Sequence, residues 1–177
     1  MSPSTPEPPG VLETERRVLR PLTLDDAPFV LELLNDPDWL RFIGDKGVRT
    51  AADAERYIRE GPQVMYRRFG LGLYLVASRK SGASLGICGL IKRPALVDVD
   101  LGFAFLPAYR AQGYAFEAAQ ATLAYGRDLL GLNRIVAITS QENEASIRLL
   151  EKLGLRYERA LRLPNDTEEV RLYASST

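Results

Sequence analysis

The stretch from Pro107 to Ala115, PAYRAQGYA, has the composition of a loop that binds an anion. It follows an alternating strand pattern and opens an alanine-rich helical pattern, so that several backbone N–H groups point at one spot. The helix dipole adds partial positive charge there. Gly113 would let the anion approach the backbone closely. The sequence therefore predicts a site for a phosphate or diphosphate, with a plain helix-start glycine as the alternative.

The composition limits the chemistry that the chain can perform. Lys and Arg together number 23, as do Asp and Glu, and the resulting net charge of zero argues against bulk nucleic-acid or membrane-surface binding. The lack of histidine excludes Ser-His and Cys-His nucleophile pairs and most zinc sites, so no metal site is expected. Cys88 is the sole cysteine, and we expect a buried, inert thiol in a cytoplasmic protein.

The length of 177 residues fits one domain with a proline-rich N-terminal tail. Four prolines among the first ten residues are incompatible with a helix or a central strand. Residues 1–12 are therefore predicted to be disordered, and residues 13–175 to form a single domain. No apolar run approaches the ~20 residues needed to cross a bilayer.

Hydrophobic patterns along this domain predict six or seven strands and about four helices. Strand patterns cover residues 16–22, 73–77, 85–91, 97–105, 134–139, 156–160 and 169–174. Helices are expected from a cap at Thr23 or, preferably, Asp25 to Leu34, from Thr50 to Gly61 with a further turn or two to Phe69, over 114–130, and from an Asn143 cap to Gly154. The strand, helix and strand between residues 97 and 139 predict a parallel connection.

Three segments of the chain carry a resemblance to a known family. The pattern Arg110-x-x-Gly113-x-Ala115 is similar to the Gln/Arg-x-x-Gly-x-Gly/Ala signature of the GNAT N-acetyltransferases. The segment NEASIRLLEKLG, which begins at Asn143, resembles their asparagine-containing helix. The segment ETERRVLRPL at 13–22 resembles the Rim-type branch, which acetylates the N-termini of ribosomal proteins. The resemblance covers roughly residues 13–175.

The resemblance implies an α/β (α+β) fold with one mixed, mostly antiparallel sheet that is splayed between its fourth and fifth strands. It implies acetyl-CoA as co-substrate, held in that opening, and acetyl transfer to a primary amine, either a protein N-terminus or a small amine. Direct attack in a ternary complex is expected, because no histidine can activate Cys88 for an acyl-enzyme route. The expected partner is the amine acceptor, with no nucleic acid or membrane, and the chain is expected to be a monomer or a homodimer.

By the same resemblance, acetyl-CoA would contact the loop, the strand before it and the last helix. The loop amides would bind the diphosphate, backbone groups of the strand would pair with the pantetheine arm, and an N–H near Leu106 would polarise the thioester carbonyl. The side chains of Phe103 and Phe105 are expected to pack in the core. The implied cofactor-binding residues are Phe103, Ala104, Phe105, Leu106, Arg110, Ala111, Gln112, Gly113, Tyr114, Ala115, Asn143 and Ser146.

Asp100 is the candidate general base. A lysine-like amine is protonated near pH 7, so its attack requires a proton acceptor. Many family members carry an acidic residue on this strand, two residues before the position of Gly102. The resemblance thus implies that Asp100 takes the proton, directly or through water; the alternative is a solvent-facing strand carboxylate.

Ser146 is the candidate proton donor to the leaving thiolate. Many family members place a tyrosine seven residues after the helix asparagine, where this chain has Leu150. Ser146 would serve instead, or would simply bond to nearby backbone. Asn143 would tether the splayed strand or bind the pantetheine amide, or act only as a helix cap.

Two further questions stay open at this point. Because that tyrosine and any histidine are missing, a non-catalytic acyl-CoA sensor of the same fold is the alternative function. A nucleotide-binding βαβ protein would require a Gly-x-Gly-x-x-Gly fingerprint, which the sequence lacks. Trp39, Phe42 and Tyr66 are either core residues or the wall of an acceptor pocket.

Overall fold

Eight strands form one mixed sheet in the computed structural model, which describes residues 12–175. The strands are β1 (Leu12–Glu13), β2 (Arg17–Pro21), β3 (Leu73–Ser78), β4 (Ser84–Ile91), β5 (Val99–Phe105), β6 (Ile135–Ser140), β7 (Arg156–Leu161) and β8 (Val170–Ala174). Their order is β1-β2-β3-β4-β5-β6-β8-β7, and the only parallel neighbours among these described strands are β5 and β6. The predicted mixed, mostly antiparallel sheet is confirmed, with one strand more than expected.

The additional strand is β1, at the boundary between the predicted tail and the domain. Leu12 pairs with Leu19, and Glu13 pairs with Val18. Leu12 therefore belongs to the sheet and not to the tail in which the sequence placed it. A strand of two residues is too short to show a period, which is why the pattern missed it. The rest of the predicted tail, residues 1–11, lies outside the described residues.

Six α-helices fall into four groups along the described chain, in agreement with the expectation of about four. The groups are α1 (Ala27–Leu34) with α2 (Pro37–Phe42), α3 (Ala51–Glu60) with α4 (Pro62–Phe69), α5 (Tyr114–Asp128) alone, and α6 (Glu144–Lys152) alone. Thr50 caps α3 and forms a capping box with Asp53, as predicted. Asn143 caps α6, also as predicted.

The start of α1 differs from the prediction that Asp25 is its cap. A short 3₁₀ turn precedes the helix, and Asp26 stands at its boundary. The Asp26 carboxylate accepts the Thr23 N–H at 2.9 Å and binds the Arg20 guanidinium at 2.8 Å. These contacts bury Asp26 and leave Asp25 in solvent.

Helix α2 was missed because its first residues were interpreted only as the end of α1. Pro37 occupies the first helical turn, where a missing N–H costs nothing. The Asp36 side chain accepts the Trp39 N–H at 3.3 Å and caps the helix. The same Asp-Pro pair therefore ends one helix and begins the next.

Helices cover both faces of the sheet around two main clusters. Ala118 and Leu123 of α5 pack in a cluster with Cys88 and Leu101 of the sheet, and Leu150 of α6 lies in the same cluster. On the other face of the sheet, side chains of α1 and α3 pack against Leu75 of β3 and Ile87 of β4. Strand β5 thus lies between the two layers. Its C-terminal end, which leads into α5, positions the site.

Candidate functional site

The loop between β5 and α5 adopts unusual backbone conformations at two residues. A 3₁₀ turn at Pro107–Tyr109 is followed by Ala111 with φ of +60° and by Gly113 with φ of +80°. A left-handed conformation is strained for alanine by about 1–2 kcal/mol. Strain of this kind is concentrated at binding sites, where surrounding contacts hold it in place.

These conformations leave a group of backbone donors at the start of α5 without acceptors in the described structure. The Tyr109 N–H binds the Leu106 carbonyl at 3.0 Å, and the Arg110 N–H binds the Pro107 carbonyl at 3.3 Å. The next N–H that finds an acceptor is that of Glu117, which binds the Gly113 carbonyl at 3.1 Å. We call the N–H groups of residues 111–116 the amide cluster. The Arg110 amide, which the sequence included among the loop donors, is bonded to Pro107 within the 3₁₀ turn.

The Arg110 side chain is likewise engaged elsewhere. Its Nε donates to the Phe105 carbonyl at 2.9 Å, while Nη2 and Nη1 lie 2.5 Å from Asp36 and 2.6 Å from Asp38. The guanidinium therefore ties the end of β5 to the start of α2. This partnership connects residues more than 70 positions apart, and nothing in the local sequence indicates it.

A cavity of about 560 Å³ opens beside the amide cluster. Its size is that of a typical small-molecule site. Helix α2, the end of β5, the start of α5 and helix α6 line it. The predicted residues that line the cavity are Phe103, Ala104, Phe105, Arg110, Ala111, Gly113, Tyr114, Ala115, Asn143 and Ser146.

Two predicted cofactor residues do not line this cavity. Leu106 packs with the α1–α3 cluster, and its N–H donates to the Leu85 carbonyl at 3.0 Å. The Leu106 N–H is therefore unavailable to a thioester carbonyl. The Gln112 side chain turns back to the Ala108 carbonyl at 2.8 Å, so only its backbone belongs to the site.

The backbone of β5 divides into an occupied edge and an open edge. Along a strand, the backbone N–H and C=O groups of successive residues point alternately toward its two neighbouring strands. The Leu106 N–H binds Leu85 of β4, so the backbone groups of Ala104 and Leu106 point toward β4. Those of Phe103 and Phe105 point toward β6. In the described sheet, however, β6 pairs with β5 only at Val99 and Asp100. The open edge therefore consists of the Phe103 backbone and the Phe105 N–H, since Arg110 holds the Phe105 carbonyl.

Helix α2 supplies one wall of the cavity through two aromatic residues that the sequence left open between core and acceptor pocket. Trp39 and Phe42 line the cavity beside the half-exposed Ile43. Tyr66 is a core residue instead, because it is buried, accepts the Leu22 N–H at 3.0 Å and donates to the Leu73 carbonyl. The opposite wall includes the basic residues Arg148 and Lys152 of α6.

Asp100 is buried rather than solvent-facing. Its side chain is 1% exposed, and Oδ2 lies 2.6 Å from Nε of Arg93. Oδ1 is buried and has no hydrogen-bond partner in the described structure. Burial raises the pKa of Asp100 more than Arg93 lowers it. Asp100 does not line the cavity; it shares a strand face with Ala104, about 13 Å away along β5.

Asn143 and Ser146 lie together on the α6 side of the cavity. Oδ1 of Asn143 accepts the Ser146 N–H at 3.2 Å, so Asn143 acts as a helix cap and also faces the cavity. Leu150, at the position of the family tyrosine, is buried in the core. Ser146 therefore has the only hydroxyl among the α6 residues that line the cavity.

Comparison with known proteins identifies the family. The Acetyltransferase (GNAT) domain family matches residues 16–156. The chain belongs to the GNAT acetyltransferases. The N-acetyltransferase YnaD of Bacillus subtilis, itself uncharacterized, is 31% identical over 147 residues, which is 83% of each chain. This GNAT protein is accordingly an N-acetyltransferase.

Solved structures agree with the GNAT fold. An acetyltransferase of this family from Bacillus anthracis is 30% identical, with a TM-score of 0.77 over 93% of this chain and 96% of its own. The ribosomal-protein α-N-acetyltransferase RimL, solved in complex with coenzyme A, is 16% identical, with a TM-score of 0.80 over 94% and 97% of the two chains. Rim-type enzymes are thus among the structural neighbours of this GNAT chain.

Other groups that could perform chemistry are buried or scattered in this GNAT protein. Cys88 is fully buried, and burial raises the pKa of its thiol to about 12. Among residues 12–175 no three His, Cys, Asp or Glu side chains come together as a metal site would require. Over the same residues, no helix combines the length and apolarity needed to span a bilayer.

Proposed function

We propose that this enzyme transfers acetyl from acetyl-CoA to a primary amine, by direct attack in a ternary complex. The amide cluster carries the proposal, since it combines free backbone donors with the positive end of the 15-residue helix α5 at the edge of the cavity. A diphosphate is the part of acetyl-CoA that such a cluster binds. The CoA complex of the RimL structure supports the choice of cofactor.

The open edge of β5 would hold the pantetheine arm. The Phe103 backbone and the Phe105 N–H can pair with the amides of this arm as with an added strand. This arrangement requires β5 and β6 to diverge beyond Asp100, and the pairing restricted to Val99 and Asp100 supports that divergence. The Phe105 N–H takes the role first assigned to a donor near Leu106: it is the free donor on this edge closest to the loop.

Asp100 would accept the proton of the attacking amine through water. Its free Oδ1 and raised pKa suit a general base, while its distance from the cavity wall argues against direct contact. Ser146 would donate a proton to the departing thiolate from the opposite wall. An α-amine has a lower pKa than a lysine amine and therefore makes less demand on such a base.

A peptide N-terminus is the acceptor class that we favour. The Rim-type structural neighbours support it, and the aromatic wall of α2 offers apolar surface for the first side chain of a peptide. A small primary amine is the other candidate class of acceptor. We propose that the protein acts in the cytoplasm, as a monomer or a homodimer.

The test is release of free thiol from acetyl-CoA in the presence of an amine panel. The panel pairs each short peptide with its N-terminally blocked form and adds small primary amines. We expect release with free N-termini and none with blocked ones. Release with small amines alone would transfer the proposal to that class of acceptor.

A non-catalytic acyl-CoA sensor is the second candidate function. The leucine at position 150 and the burial of Asp100 outside the cavity favour it, because both remove an expected proton carrier from the site. Saturable binding of acetyl-CoA with no thiol release across the panel would establish the sensor and refute the transferase.

A further inference from the structure

Arg17 is a buried cation with which no carboxylate forms an ion pair within residues 12–175. It lies on β2 and is 4% exposed. Nη1 donates to the Arg16 carbonyl at 2.6 Å, while Nε is buried without a partner in the described structure. Burying a guanidinium without a counter-charge is unfavourable. Burial accordingly lowers the pKa of Arg17.

Stacking on the Tyr114 ring offsets part of this cost, but the adjacent helix N-terminus adds to it. Cζ of Arg17 lies 3.4 Å from the ring centroid of Tyr114, the first residue of α5, and Cζ of Arg16 lies 4.9 Å from the same centroid. Two guanidinium groups therefore flank the positive end of a helix, where carboxylates are the favoured neighbours. The nearby carboxylate, Glu117, is bonded to Thr14 and Arg16. One positive charge remains without a partner at this end of α5.

Arg16 extends to the amide cluster itself. A Cβ added at Gly113 would lie 3.4 Å from Nη2 of Arg16. The Arg16 side chain is half-exposed, so Nη2 can donate to a molecule bound there while Nε keeps its 2.9 Å bond to Glu117. The uncompensated positive charge and the free backbone donors therefore lie at the same place, the start of α5.

We propose that Arg16 and Arg17 belong to the phosphate site at the start of α5, where Arg16 donates directly to the diphosphate of the cofactor. Arg17 is a positioning residue: it lies beneath Tyr114 and supplies charge that the bound diphosphate neutralises. The proposal rests on the proposed function. It assigns the diphosphate rather than the 3′-phosphate of CoA, because Arg16 meets the amide cluster at Gly113.

The test compares Arg17→Met and Arg16→Gln with Arg59→Met, which removes an exposed charge on α3. Calorimetry measures the affinity for CoA, for dephospho-CoA, which lacks the 3′-phosphate, and for inorganic pyrophosphate. Loss of one charged hydrogen bond or one unpaired charge weakens binding on the order of tenfold. We expect that loss for all three probes in both site variants, and none in Arg59→Met.

A second effect of Arg17→Met, on stability, distinguishes Arg17 from a purely structural arginine, whose removal would destabilise the protein. Removing the unpaired charge should raise the melting temperature of the ligand-free protein while it weakens binding. Unchanged affinities, or a loss of CoA affinity that disappears with dephospho-CoA, would overturn the assignment to the diphosphate. Wild-type thiol release decides the proposed function separately, so the two failures are distinguishable.

Discussion

Nη2 of Arg110 lies 2.5 Å from Oδ2 of Asp36, and this contact joins the two sides of the cavity. Arg110 belongs to the loop that precedes the amide cluster, whereas Asp36 caps α2, the wall assigned to the acceptor. The signature arginine of this chain therefore holds α2 in place. Its guanidinium nitrogens are engaged by Phe105, Asp36 and Asp38.

Arg110→Met should destabilise the protein and raise the KM for the acceptor more than that for acetyl-CoA. The variant leaves the carboxylate of Asp36, which is 6% exposed, without its cation, at a cost of about 1–3 kcal/mol in the free energy of unfolding. Urea unfolding and steady-state kinetics measure the two effects. In the double variant with Asp36→Asn the costs should be less than additive; fully additive costs would show that the pair is not coupled.

Ala115→Leu should crowd the amide cluster without straining the backbone. Ala115 is half-buried, lines the cavity and lies in the first turn of α5, where a leucine is well tolerated. Gly113→Val is a poorer test, because its φ of +80° would strain any side chain there. We expect at least a tenfold loss of CoA affinity, or about 1.4 kcal/mol, with a native melting curve. Gln120→Leu, on the exposed face of α5, is the matched control.

Asp100 should make the protein less stable as the pH rises. Its folded-state pKa is raised above the usual 3.8, so the folded state retains the proton longer than the unfolded chain. The stability from this proton is complete below the unfolded pKa and is lost as the pH rises through the folded pKa. Denaturant unfolding from pH 3 to 8 should show Asp100→Asn becoming more stable relative to the wild type between the unfolded-state and folded-state pKa values of Asp100, and a constant difference above them. A stability difference that does not change with pH would contradict the raised pKa.

The same variant tests the catalytic role of Asp100. Removing a general base lowers the rate by roughly a hundredfold or more and removes the acidic limb of the pH profile. We expect both changes in kcat/KM for Asp100→Asn, with the affinity for acetyl-CoA intact. An unchanged rate and profile would leave Asp100 as a structural partner of Arg93.

Cys88 should be dispensable for transfer. Its Sγ is buried 3.5 Å from the Thr122 hydroxyl, and a thiol with a pKa of about 12 carries almost no thiolate at pH 7. We predict that Ellman's reagent labels Cys88 only after unfolding, and that Cys88→Ala keeps kcat within about threefold of the wild type, as expected of a residue outside the reaction. Accumulation of an acetyl-enzyme in the wild type, absent from Cys88→Ala, would refute direct transfer.

Local patterns in the sequence were sufficient for most of the fold. The caps Thr50 and Asn143 and the strand–helix–strand unit around α5 follow from periodicity and capping chemistry that act over a few residues. The features that were missed depend on particular side-chain and strand contacts that no local period shows. Asp25 was predicted as the cap because the ion pair between Asp26 and Arg20 could not be seen.

The site was predicted less completely for the same reason. The amide cluster follows from the glycine and the helix start, but the use of the Arg110 side chain depends on Asp36, and the burial of Asp100 depends on Arg93. Which backbone groups of β5 are free depends on its register with β4, which fixes the Leu106 N–H on Leu85. Alternation within one strand cannot supply that register.

The most direct measurement of the central claim follows the backbone ¹H–¹⁵N resonances during a titration with CoA. If the amide cluster binds the diphosphate, the largest shifts should fall on residues 111–116, and inorganic pyrophosphate should reproduce part of the pattern. The Arg110 amide, which is already bonded to Pro107, should shift less. Saturable CoA binding that leaves residues 111–116 unshifted would contradict the account.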